Sequence, residues 1–86
     1  MNTEVQNQVE QYAGLFFSPK EIAIILELEE KSIDNKDFKI HYQRGRLKQE
    51  ALVRRSVFEL AINGSSPAQI SALQIIENTK LHGISV

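Results

Sequence analysis

Ser18-Pro19-Lys20-Glu21-Ile22-Ala23-Ile24-Ile25-Leu26-Glu27-Leu28 is the stretch on which the fold turns. Its first four residues read as a capping box with proline at the first helical position. The serine hydroxyl accepts from the amide three residues on, and Glu21 reaches back to the serine N–H. Behind the cap, Ile22, Ile25 and Leu26 share one helical face. The helix they predict is short and ends near Glu27 or Leu28. A third helix is expected to start near Glu29 or Glu30 and to include Ser32 and Ile33. The small Ala23 lets that helix cross closely, with Ile22, Leu26, Leu28 and Ile33 filling the angle between the two. Two short helices about a tight turn are the pattern of a helix-turn-helix unit, whose second helix enters the major groove. The exposed polar residues of that helix, Lys31, Ser32, Asn35 and Lys36, are therefore candidate DNA contacts.

On the N-terminal side, Val5, Val9 and Tyr12 stand at helical spacing, which predicts a first helix over 3–12 ended by Gly14. On the other side the longest helical stretch runs over about 37–62, with Gly45 inside it at a cost of about 1 kcal/mol relative to alanine. Gly45 reads either as a point of close helix packing or as a place where a partner backbone approaches. Leu47, Ala51, Phe58 and Ile62 lie on one stripe of this helix, and Val53, Val57 and Leu60 on an adjacent one. A helix apolar over so wide an arc packs on two sides, here its own domain and a second copy. Asn63-Gly64 is a stop, Ser65-Ser66-Pro67 a fresh start, and 68–81 a last helix with Ile70, Leu73, Ile76 or Glu77, and Leu81 in line. The faces offered to a second copy are Val53, Val57, Phe58, Leu60 and Ile62 on the long helix with Ile70 and Leu73 on the last. The expected fold class is all-α. It comprises a single domain over 1–86, with a helix-turn-helix unit over about 3–37 and an oligomerising helical hairpin over about 38–82.

Composition narrows the functional classes. The chain has 86 residues, 42% hydrophobic and 24% charged, and no cysteine. Disulfides, thiolate chemistry and cysteine-based zinc sites are excluded, and disorder is disfavoured. So small a chain is marginal alone, and self-association is the remedy its composition leaves open. The polar start Met1-Asn2-Thr3-Glu4-Val5-Gln6-Asn7-Gln8 is not a signal peptide, and the longest apolar run, Ile22 to Leu26, is far short of a membrane span. The expected compartment is the cytoplasm, with no membrane partner.

The net charge of −1 conceals a polarised chain. Residues 1–35 hold two basic against seven acidic side chains, a balance of −5. Residues 36–55 hold seven basic (Lys36, Lys39, Arg44, Arg46, Lys48, Arg54, Arg55) against two acidic, a balance of +5. The basic segment reads either as a phosphate-facing patch or as a solvated helix face with pairs such as Glu50 and Arg54.

The order of these features resembles phage small terminase subunits and related phage helix-turn-helix proteins. The likeness rests on Glu21-Ile22-Ala23-Ile24-Ile25-Leu26-Glu27-Leu28, on the aromatic and Gly-Arg run Phe38-Lys39-Ile40-His41-Tyr42-Gln43-Arg44-Gly45-Arg46, and on Phe58-Glu59-Leu60-Ala61-Ile62-Asn63-Gly64 followed by Ile75-Ile76-Glu77-Asn78. It covers about residues 10–80. It implies a non-enzymatic protein that binds duplex DNA at a packaging-initiation region, assembles into rings and recruits a large terminase subunit. The hairpin of the long and last helices would be the assembly element. The chain departs from the family pattern at two places that bear on DNA binding. The turn position often filled by glycine carries Glu27, which is strained if it adopts positive φ. The would-be recognition helix, residues 29–37, carries four acidic residues, which repel phosphate. DNA affinity would therefore come from Lys36, Lys39, Arg44, Arg46 and Lys48, multiplied by avidity in a ring.

Two other readings stand beside this one. One is a protein–protein adaptor that keeps the scaffold without touching DNA, which the acidic 29–37 segment favours. The other is a small transcription regulator, which would form a two-fold dimer. No enzyme is indicated: no nucleophile, carboxylate pair or phosphate-cradling loop stands in a supporting pattern, and no cofactor is implied. Asp34, Asp37 and His41 could share a helical face and hold a metal, but a solvated acidic turn is far commoner. Phe16, Phe17, Phe38 and Phe58 read as packed side chains, one of the Phe16-Phe17 pair lying in a loop. Tyr42 and His41 could touch a phosphate or sugar; the other reading is a buried Tyr42 with its hydroxyl at the edge.

Overall fold

The computed structural model describes residues 1–81. His82, with the end of the hairpin expected to reach it, lies outside the described residues, as does the side chain of Leu81. Four α-helices and no strand are present among the described residues: α1 (Thr3–Gly14), α2 (Pro19–Ile25), α3 (Lys36–Ile62) and α4 (Ser66–Leu81). A 310 segment, Glu30–Asp34, lies between α2 and α3. The chain divides into two units, Met1–Ala51 and Leu52–Val86.

Local signals account for where the helices begin. Asn2 accepts from the Val5 N–H at 2.8 Å and opens α1. The capping box at α2 is complete: the Glu21 N–H donates to Ser18 Oγ at 3.2 Å and the Ser18 N–H to Glu21 Oε1 at 2.9 Å. Asn35, in extended backbone, accepts from the Asp37 N–H at 2.8 Å and starts α3. In the second unit the Ala68 N–H donates to Ser65 Oγ at 3.4 Å, with Pro67 in the first turn of α4.

The helix ends share one device. After α1, α2 and α3 the chain closes with a pair of backbone bonds around a single left-handed residue, the Schellman arrangement. Those residues are Phe16 at φ 67°, Glu27 at φ 56° and Gly64 at φ 100°. Around Glu27, the Leu28 N–H donates to the Ala23 carbonyl at 2.8 Å and the Glu27 N–H to that of Ile24 at 3.2 Å. Only Gly64 adopts this conformation without a Cβ to strain. The closure at Phe16 is backed by an edge-on contact of Phe17 with Tyr12, ring centres 6.1 Å apart.

Two expectations need correction here. The helix expected over 29–37 does not form as an α-helix. It is the five-residue 310 segment, none of it buried. Ile33 is its one large apolar residue, too little to hold a helical face, and the extended Asn35 breaks it from α3. Gly14, expected to end the first helix, is its last helical residue, and the left-handed turn falls two positions later on Phe16. A Cβ on Gly14 would stand 3.4 Å from the Gly45 carbonyl oxygen, an ordinary van der Waals contact.

The core of the first unit is Val9, Ala13, Ile22 and Phe38, with Val5, Tyr12, Phe17, Leu26, Leu28, Ile33 and Tyr42 packed around it. Burying side chains the size of Phe38, Ile22 and Val9 stabilises by about 1.5–3 kcal/mol each. The helices that meet there, α1 and the 36–51 part of α3, are in backbone contact at Gly45. A Cβ on Gly45 would fall 2.7 Å from the Glu10 Cα and 2.8 Å from its carbonyl carbon. Among its described residues the second unit buries only Ala68 and Ala72. There the Gln69 side chain donates to the Ala61 carbonyl at 3.1 Å, tying α4 to the end of α3.

Gly45→Ala removes the helix penalty of glycine, yet it should lower unfolding stability by about 1–3 kcal/mol, because backbone rather than a yielding side chain blocks the methyl. Urea titration checks it; a stabilised variant would mean the helices are not in backbone contact. Glu27→Gly should raise stability by about 0.5–1 kcal/mol through relief of the left-handed turn.

Candidate functional site

The polar chemistry of the first unit converges on Glu10. Its carboxylate, 16% exposed on α1, meets three basic side chains of α3. His41 Nδ1 stands 2.5 Å from Glu10 Oε2, Arg44 Nη1 is 3.7 Å from the same oxygen, and Lys48 Nζ is 3.3 Å from Oε1. His41, Arg44 and Lys48 follow one another by three and four positions, so they share the face of α3 turned to α1. An ionised carboxylate only accepts, so His41 Nδ1 carries the hydrogen and donates. The hydrogen bond from His41, then the contact and charge of Lys48, hold the Glu10 pKa below the ordinary carboxylate range against the opposing effect of burial. The His41 pair, with both side chains about 15% exposed, is the strong member. Arg44 and Lys48, 51% and 68% exposed, add little each.

This cluster redefines the candidate DNA contacts. Arg44 and Lys48 face Glu10, and Arg46 is seated on aromatic rings: its guanidinium carbon is 4.8 Å from the Phe16 ring centre and 5.6 Å from that of Tyr42. Arg46 Nη1 also donates to the Tyr42 hydroxyl at 2.6 Å, which places the hydroxyl of a half-buried Tyr42 in internal use. Lys31 pairs with Glu29 at 3.1 Å on the 310 segment, Ser32 is half-buried there, and the Asn35 side chain caps α3. Lys36 and Lys39 are exposed and make no ion pair among the described residues. His41 thus belongs with Glu10 rather than with Asp34 and Asp37, and no group of three potential metal ligands occurs among the described residues.

A groove of about 590 Å³ runs along α3 in the same unit, its lining including Pro19, Ile33, Phe38, Tyr42, Arg46 and Leu47. The second unit offers no comparable concavity among the pockets of the described residues. It carries instead an apolar surface: Val53 (51%), Leu60 (54%), Ile62 (84%), Ile70 (61%) and Leu73 (59%) are exposed, while Val57 and Phe58 are half-buried. Leu52 and Ile76 extend that surface. No helix of the described residues is long and apolar enough to cross a membrane.

Sequence reasoning missed Glu10 altogether. The available signal was the spacing of His41, Arg44 and Lys48 beside Gly45, a basic face flanking a close-packing residue. Comparison with protein families, with characterised proteins and with solved structures finds no match to the chain.

Glu10→Gln should cost about 1–2 kcal/mol at neutral pH by weakening charge-assisted bonds. Because the folded-state pKa of Glu10 is depressed, its contribution is complete above the ordinary carboxylate pKa and is lost as pH falls through the lowered value. The stability gap between wild type and variant should therefore close on acidification, as read by urea unfolding across the acid range. A gap constant with pH would rule out the ionic role.

Proposed function

We propose that the chain is a non-enzymatic, self-associating helical subunit of the phage small-terminase kind. One observation carries the reading. Among its described residues the second unit buries two alanines and leaves Leu52, Val53, Leu60, Ile62, Ile70, Leu73 and Ile76 between 40% and 84% exposed. Monomers rarely leave so many large apolar side chains together on one small unit, and such surfaces mark association sites. On this reading α4 and the 52–62 part of α3 form the assembly hairpin. The assembly presents Lys36 and Lys39 of each copy to duplex DNA, and avidity compensates for the small number of contacts per copy. A large terminase subunit is the further partner this kinship implies.

The adaptor reading, without DNA, has its own support. Glu10 engages Arg44 and Lys48, Tyr42 and Phe16 engage Arg46, and the acidic 310 segment replaces a recognition helix. Such a geometry gives three of the seven basic side chains of the 36–55 segment a partner within the chain.

Sedimentation or native mass measurement at micromolar concentration should show an assembly larger than a monomer. The double substitution Leu60→Asp with Leu73→Asp should reduce it to monomer with helical content retained; a wild-type monomer at high concentration defeats the proposal. A closed two-fold dimer would favour the transcription-regulator reading. Duplex binding should weaken steeply with salt, and Lys36→Ala with Lys39→Ala should lower the log–log salt slope by about 2, near one for each phosphate deprived of its lysine. Absence of binding at low salt leaves the adaptor.

A further inference from the structure

The groove along α3 has no part in the assembly surface and shares one residue, Lys39, with the proposed DNA contacts. Its α3 wall runs from Phe38 to Glu50, twelve positions and so about 18 Å of helix. Its volume of about 590 Å³ lies in the range of genuine ligand sites, and Phe38, Tyr42, Leu47, Ile33 and Pro19 make it largely apolar. One charged group in it is unusual. Arg46 is half-buried, yet it forms no ion pair among the described residues, although Glu50 stands one helical turn away and lines the same groove. The rings of Phe16 and Tyr42 and the bond to the Tyr42 hydroxyl hold its guanidinium in place and use one of five N–H donors. An oriented guanidinium without an anion, beside an apolar trough, is half of a recognition pair.

We propose that this groove receives an amphipathic helix of a partner protein, whose apolar stripe packs on Ile33, Tyr42 and Leu47 and whose carboxylate pairs with Arg46. Charge complementarity selects the carboxylate: Arg46 and Lys39 attract an anion, while Asp34 and Glu50 in the lining oppose the greater charge of a phosphate. Backbone chemistry selects the helix. The α3 wall has its backbone groups satisfied internally and offers no edge to an extended strand, so the occupant must satisfy its own backbone.

The test uses the isotopically labelled full chain and a synthetic amphipathic helix of about four turns, with leucines at three- and four-residue spacing and one central glutamate. A second peptide carries glutamine in its place. Amide shifts should concentrate at Ile33, Phe38, Tyr42 and Leu47, and the glutamate peptide should bind about tenfold more tightly than the glutamine one. Arg46→Gln should abolish that preference. Leu47→Asp, at a position 55% exposed and so outside the core, should weaken both peptides with helical content unchanged. Equal affinity of the two peptides for wild type overturns the proposal, as does absence of groove shifts at millimolar peptide. Shifts centred on Leu60, Ile70 and Leu73 overturn it too. Groove resonances that move on simple dilution of the protein would give the groove to a second copy and overturn it equally.

Discussion

The absence of a side chain at Gly45 is the constraint on which the first unit rests. It lets α3 lie against the backbone of α1 at Glu10, with Gly14 meeting the Gly45 carbonyl nearby. At that separation Val9 and Ala13 reach full burial beside Ile22 and Phe38. The same closeness brings the Glu10 carboxylate within reach of His41, Arg44 and Lys48. Apolar packing and the ionic clasp are therefore not separate stabilising devices. A crossing wider by the radius of a methyl group would loosen the first and stretch the second, and dispersion contacts fall away steeply over such a gap.

The basic segment takes on a different meaning in this light. Seven positive side chains between residues 36 and 55 look like a surface for an anion. In the fold, part of that charge neutralises an acid of the same chain, and part is oriented by aromatic rings. The second unit is built on the opposite principle. It has small buried residues, large exposed ones and few polar ties, so its apolar surface outweighs its internal packing.

What the sequence made legible was local. The capping box at Ser18, the restart at Ser65 and the stop at Gly64 depend on neighbours within a few positions, and each stands where its residues indicate. The strain anticipated at Glu27 is real for the same reason, since two short backbone bonds around it define the turn. Readings that depended on distant residues fared otherwise. Gly14 resembles a helix terminator, but it is the last residue of α1 and the left-handed turn falls on Phe16. Residues 29–37 can be drawn as a helix, yet without an apolar face nothing holds them as one. Glu10 was invisible because its partners lie 31 and 38 positions away.

That separation has a consequence in time. Helical turns and their caps close within microseconds, but a contact between residue 10 and residues 41–48 waits for the loop between them to close. Helix α1 can pack on α2 early, but the part of its surface that faces α3, with the partners of Glu10, is complete only once the chain is present through Lys48. Until then Val9, Tyr12 and Ala13 lack part of the surface that covers them. The clasp at Glu10 therefore forms in the same late step as the close crossing of α1 and α3.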